Sequence, residues 1–170
     1  MLEKIDLGKK LSKKEYDAVI DDLSVTLSKL QRDAKNLNIP VVIVFEGFGA
    51  AGKGTMINQL LQPLDPRGFS VYSTGTTTEE ESMRPYLWRF ATKMSEKGRI
   101  TIFDRSWYKG VMRDRIDGIT TPEMLATAYD DIISFEKQHT DDGTLIIKFF
   151  LHISKKEEKK RFDKLEEEKS

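Results

Sequence analysis

The chain has 170 residues, with 28 basic residues against 28 acidic ones and no cysteine. That length suits one domain with a sizeable core, zero net charge removes a global electrostatic case for nucleic acid, and the lack of cysteine excludes disulfides and thiolate metal sites. The two histidines, His139 and His152, are too far apart in sequence to suggest a zinc site, no apolar run reaches the ~18 residues of a membrane span, and the first ten residues lack the apolar core of a signal peptide. The sequence reads as that of a cytoplasmic protein with neither a membrane nor a nucleic-acid partner.

Residues 1–12 are polar and read as a flexible N-terminus, with residues 13–170 as one domain. Ser12 and Glu15 form a capping box, with Leu11 and Tyr16 as its hydrophobic staple. Tyr16, Val19, Ile20, Leu23, Leu27, Leu30 and Leu37 follow at helical spacing, which predicts one amphipathic helix from Lys13 to Asn36 whose apolar stripe packs on the domain. Pro40 bounds a strand, Val41 to Phe45, that runs straight into FEGFGAAGKGT. Gly47, Gly52 and Lys53 have the spacing G-x-x-x-x-G-K of a phosphate-binding loop, between a buried-looking strand and a helical run from Met56 to Leu61. Such a loop turns backbone N–H groups inward as an anion nest. The helix N-terminus adds partial positive charge, and the lysine adds a full charge on a flexible stem. The hydroxyl that usually follows the lysine is displaced: Gly54 stands there and Thr55 comes one place later.

Pro63 and the turn Leu64 to Gly68 break the chain, and Phe69 to Ser73 is predicted as a second strand. After a threonine-rich loop, Thr78 and Glu81 make a second capping box for a helix expected to run to about Glu96. A third strand, Arg99 to Phe103, ends in Asp104. An acid there, beside the phosphate loop, is the Walker B arrangement that holds Mg²⁺; the alternative is an aspartate capping a helix. Trp107 to Ile116 reads as helical. Thr121 caps a further helix with Pro122 at its first position. Thr144 to Ile153 is almost wholly apolar and reads as a central parallel strand. Ser154 and Glu157 suggest a third capping box, and the closing KKEEKK and EEEK runs suggest a solvated helix face. Strands alternating with helices predict an α/β three-layer sandwich with a parallel sheet. Its ligands bind at the carboxyl ends of the strands.

The stretches EGFGAAGKGT (46–55), LDPRGFSVY (64–72), EEESMRPYLWRF (79–90), GRITIFDRSWY (98–108) and IIKFFLHISKKEEKKRF (146–162) together resemble the polyphosphate kinase 2 family, in particular its polyphosphate:AMP phosphotransferase branch. The resemblance implies a P-loop kinase-like fold related to thymidylate kinase. It also implies Mg²⁺-dependent phosphoryl transfer between inorganic polyphosphate and a nucleoside mono- or diphosphate. Carried over by position, Lys53, Asp104 and Arg105 would be catalytic, with Asp104 on the metal. Gly47, Gly49, Ala50, Ala51, Gly52, Gly54, Thr55 and Arg84 would join Lys53 in binding phosphate or nucleotide, while Trp88 and Arg89 would pack. Two departures stand out. The family loop reads G-x-D-A-A-G-K-G, and Gly49 occupies the place of its aspartate. The chain also stops inside a charged helix, where the family continues into a basic lid, so a fragment truncated before the lid is expected. The partners it leaves open are a second homologous domain or a homo-oligomer. Two other readings stand beside catalysis: a non-catalytic domain of a two-domain phosphotransferase, motivated by Gly49, and an ATP-dependent nucleotide kinase of the same fold.

Overall fold

The structure, a computed structural model, describes residues 4–167. Ser12 caps α1 (Lys13–Asn36) through the full reciprocal capping box with Glu15. The apolar run then forms β1 (Val41–Gly47), and α2 (Lys53–Leu61) follows the glycine loop. A 3₁₀ turn at Pro66–Gly68 leads into β2 (Phe69–Ser73). Two single turns of helix, α3 (Glu79–Ser82) and α4 (Trp88–Ala91), precede β3 (Ile100–Asp104). A 3₁₀ turn at Trp107–Lys109 and the short α5 (Arg113–Ile116) lead to α6 (Pro122–Asp141), β4 (Leu145–Leu151) and α7 (Lys155–Glu167).

All four strands are parallel, in the order β2-β3-β1-β4. Alternation along β1 sends its side chains to both faces. Val42 and Val44 enter a cluster with Phe90, Phe103, Trp107, Ile132 and Phe135 on one face. Val41, Ile43 and Phe45 pack on Ile57, Leu64 and the α1 residues Leu27 and Ala34 on the other. Helices cover both faces of the sheet, so the three-layer α/β expectation holds. The first cluster is an aromatic nest around the fully buried Trp107, whose ring meets Phe90, Phe103 and Phe135 edge-on at centroid distances of 6.0, 5.7 and 5.1 Å, the arrangement the ring quadrupoles favour.

Five expectations need correction. The stripe on α1 does not face the domain as a whole: Val19, Leu23, Leu30 and Leu37 are all about half exposed or more. Beside Leu27 and Ala34, the covered side carries Ser28 and Gln31, because it also meets the backbone of the turn after α2. Ser28 donates to the Pro63 carbonyl, and Gln31 both donates to the Asp65 carbonyl and accepts from its N–H. A turn's unpaired backbone groups need polar partners more than apolar cover.

The helix expected from Thr78 to Glu96 breaks into α3 and α4. Pro85 lacks an N–H and disfavours helical geometry in the residue before it. The helix expected over Trp107 to Ile116 is also broken. The Tyr86 hydroxyl donates to the Trp107 carbonyl and accepts from the Gly110 N–H, at 3.0 and 2.8 Å, taking both groups out of the helical ladder.

Among the described residues β4 pairs with β1 alone and so lies at the edge of the four-stranded sheet they form. An apolar run of that length is compatible with either position, and Leu145 and Phe149 are half-exposed. Finally, α7 is not simply a solvated face. Its lysines 155, 156, 159 and 160 point outward, but Arg161 and Phe162 meet the glycine loop. Part of the EEEK run lies outside the described residues.

Candidate active site

The site is built at the carboxyl ends of β1 and β3. Phe45 and Asp104 are register partners, so the acid that closes β3 stands beside the point where β1 opens into the loop. Gly47 is left-handed, with φ +131, and a Cβ there would lie 2.2 Å from the Leu151 carbonyl oxygen. Only glycine lets the loop leave the strand so close to β4. Gly52, also left-handed, precedes α2, and no side chain caps that helix. The first N–H groups of α2 are therefore open toward the cavity, as an anion requires.

Lys53, at the first position of α2, is buried and folds back over the loop. Its ammonium donates to the carbonyls of Gly47 and Phe48 at 3.1 and 2.9 Å. Burial, and then the neighbouring Arg105 guanidinium, pull its pKa below the usual lysine range, against the acids Asp104, Glu46 and Glu158.

The turn after β3 is held from three sides. Arg105 is left-handed, with φ +62, a conformation uncommon outside glycine. Its N–H donates to the Phe45 carbonyl at 3.0 Å, its carbonyl accepts from the Thr74 hydroxyl at 2.6 Å, and the next N–H, that of Ser106, donates to Glu46 at 2.7 Å. Such over-determination is what lets a strained residue persist.

A cavity of about 490 Å³ gathers Ala50, Ala51, Gly52, Lys53, Gly54, Thr55, Asp104 and Arg105, with Arg161, Lys164 and Leu165 of α7 closing its side. Asp104 Oδ1 is buried without a hydrogen-bond partner, an arrangement that suits a cation or donor brought by a ligand. Among the described residues no three acids or histidines converge as a self-sufficient metal site. Asp104 does offer one carboxylate to the cavity, and an ion such as Mg²⁺ takes one or two carboxylates and completes its shell from water and substrate phosphates. Gly47 and Gly49 do not line the cavity; the first is covered by Leu151 and the second by Phe162. Arg84 also lies outside it, where it pairs with Glu80 at 3.2 Å and stacks on Trp88 at 4.2 Å. Arg89 is buried against Glu81.

Sequence reasoning missed Glu46 and Ser106. Glu46 is a charged residue in an otherwise apolar strand, and that was the available signal. It is buried and accepts from both the N–H and the hydroxyl of Ser106. Burial pushes its pKa above the ordinary glutamate value of 4.5, while Ser106, Lys53 and Arg105 oppose the rise. Between 4.5 and the raised value the folded protein keeps a proton that the unfolded chain has lost. Stability from this group is therefore whole below 4.5 and is lost as pH rises through the folded-state pKa. Glu46→Gln keeps an acceptor for Ser106 and removes the titration. The melting temperature of Glu46→Gln relative to the parent is expected to be more favourable at pH 7 than at pH 4; an equal difference at both would show that Glu46 does not titrate in this way.

A parallel sheet whose first strand opens through a glycine loop into a helix, with an aspartate closing the neighbouring strand, is a P-loop kinase-like fold. Within that class, the model of the polyphosphate kinase 2 (PPK2) family matches residues 10–169, and the chain belongs to this family. The polyphosphate:AMP phosphotransferase of Pseudomonas aeruginosa is 39% identical over 166 residues, which make up 98% of this chain and 34% of the relative. The AMP/ADP-polyphosphate phosphotransferase of Meiothermus ruber is 38% identical over 71% of this chain and 45% of its own length. The crystal structure of polyphosphate kinase 2 from Arthrobacter aurescens TC1 superposes with a TM-score of 0.90 at 28% identity, covering 98% of this chain and 62% of that one. The chain thus spans between a third and a half of the length of these two curated relatives. Among the described residues no helix is long and apolar enough to cross a membrane.

Proposed function

We propose that the chain carries out Mg²⁺-dependent phosphoryl transfer between inorganic polyphosphate and a nucleotide, with AMP or ADP as acceptor. The observation that carries this reading is the meeting of Lys53, Asp104, Arg105 and the open N-terminus of α2 on one cavity. The names of the relatives support the substrate pair. In the transfer, a phosphate oxygen of the nucleotide attacks the terminal phosphorus of polyphosphate. The bond to the bridging oxygen breaks, and the donor leaves one phosphate shorter. Lys53 and the α2 N–H groups hold the phosphate chain in line. Arg105, fixed through its own N–H and carbonyl, faces the charge that spreads over the transferring group, as positioning and electrostatics dominate this chemistry. Asp104, through its unpartnered Oδ1, would hold Mg²⁺, which when bound offsets charge on the phosphate oxygens.

The test is to incubate the chain with polyphosphate, Mg²⁺ and AMP, ADP, GMP or GDP separately and to separate the nucleotides by chromatography. ADP from AMP, or ATP from ADP, is the expected product. Transfer only when ATP replaces polyphosphate as donor would make the chain a nucleotide kinase. Polyphosphate binding without product from any acceptor would make it a non-catalytic domain, the reading that Gly49 motivates.

A further inference from the structure

We propose that α7 is a brace for the phosphate-binding loop, with Phe162 and Arg161 as positioning residues that hold Gly49 and Ala50 in the shape that receives an anion. The inference rests on the reading of that loop as a phosphate site. The loop is tied to the body at both ends. Phe48 donates its N–H to the Leu151 carbonyl, and its ring packs on Phe150 and His152. At the far end, Met56 donates back to the Gly52 carbonyl in the first turn of α2. Gly49 and Ala50, between these anchors, are met by α7.

The Phe162 ring lies on the bare face of Gly49. A Cβ built there would stand 2.7 and 2.9 Å from two ring carbons and 3.0 Å from a Glu158 carboxylate oxygen. Gly49 is not in the left-handed region, so its backbone does not require glycine, but any side chain there would have to displace the ring. Ala50 is left-handed, with φ +49, a conformation alanine adopts only under constraint. Its carbonyl accepts from Arg161 Nη1 at 3.1 Å, and Arg161 is in turn held by Glu157 one helical turn earlier, at 2.8 Å. A ring in the notch and a guanidinium on the strained carbonyl fix the two residues that lead into the cavity-lining run from Ala51 to Thr55. Gly49 is then a socket for α7, not only a lost side chain.

The experiment uses the full chain, with sodium tripolyphosphate as probe. Amide hydrogen exchange over residues 47–55 reads the loop without ligand, and calorimetric titration reads its affinity. Phe162 is half-exposed and uncharged, so Phe162→Ala removes the brace without removing core or cation. It is expected to speed loop exchange and weaken tripolyphosphate binding about tenfold, with Phe162→Leu restoring most of both. Gly49→Ala, which pushes against the ring, is expected to weaken binding by a similar factor in the parent. In the Phe162→Ala background, where the socket is empty, it should add less than twofold. This non-additivity is the signature of a direct coupling. Unchanged exchange and affinity in Phe162→Ala, or additive effects of the two substitutions, overturn the brace. If no variant and not even the parent binds tripolyphosphate while exchange still quickens in Phe162→Ala, the brace stands and the phosphate reading falls.

Discussion

Lys53→Ala is expected to lower transfer from polyphosphate by at least ~100-fold, a loss typical of removing one preorganised charge stabiliser. Two effects add. The first is the direct loss of a cation from the phosphate path. The second is local: the ammonium donates to the carbonyls of Gly47 and Phe48, and these lose their donor in the variant. Two of the ammonium's three N–H groups are taken by those carbonyls, so on the proposed reading the third would be the one to meet a phosphate oxygen. Lys53→Arg tests the two apart. It keeps the charge, but a planar fork replaces a compact ammonium, so it should recover binding of tripolyphosphate better than it recovers turnover. Circular dichroism should show both variants folded, since no apolar core is removed, with a modest fall in melting temperature for Lys53→Ala from the two carbonyls that lose their donor. Full transfer by a folded Lys53→Ala protein would remove Lys53 from the mechanism.

Much of this site is legible in the sequence because its parts are local. The run of β-branched residues into Gly47, the G-K pair at 52–53, and Asp104 at the end of RITIF each depend on neighbours a few positions away. The paired strands then bring them together without further information. The capping boxes at Ser12 and Thr78 formed for the same reason. What escaped was decided by partners distant in sequence. Tyr86 breaks a helix more than 20 residues downstream by taking two of its backbone groups, and nothing in that helix announces it. The polar side of α1 is buried because a turn around Asp65 needs Gln31, which periodicity of apolar residues does not register. Glu46 reaches across to Ser106, 60 positions away. The departure at Gly49 reads in sequence as a missing carboxylate. In the fold it is the seat of Phe162, more than 100 positions later. A charged helix such as α7 gives no sign in its composition that one of its faces touches the loop.

For Asp104→Asn, activity and stability are expected to move apart. Asp104 closes β3, and its backbone carbonyl accepts from the Thr74 N–H at 3.0 Å, a contact the substitution keeps. The side chain has a buried oxygen, Oδ1, that no donor satisfies. An unpartnered polar atom is a cost to the folded state, and it is more so when it carries part of a negative charge. Asparagine has the same shape and no net charge, so the variant is expected to melt at the parent's temperature or slightly above it. Transfer should fall in the other direction, by ~100-fold or more, because the charge that would hold Mg²⁺ is gone. Raising Mg²⁺ should recover part of the loss if the metal is merely bound more weakly, and a shift of the Mg²⁺ dependence to higher concentration is the sharper readout. A direct one is available without turnover: paramagnetic Mn²⁺ in place of Mg²⁺, with tripolyphosphate present, should broaden NMR signals around Asp104 in the parent and much less in the variant. A folding site and a functional site make opposite demands here, since a residue kept at the expense of stability is one that a ligand must satisfy. If Asp104→Asn instead melts several degrees lower and turns over normally, the aspartate serves the turn after β3, and the metal belongs elsewhere.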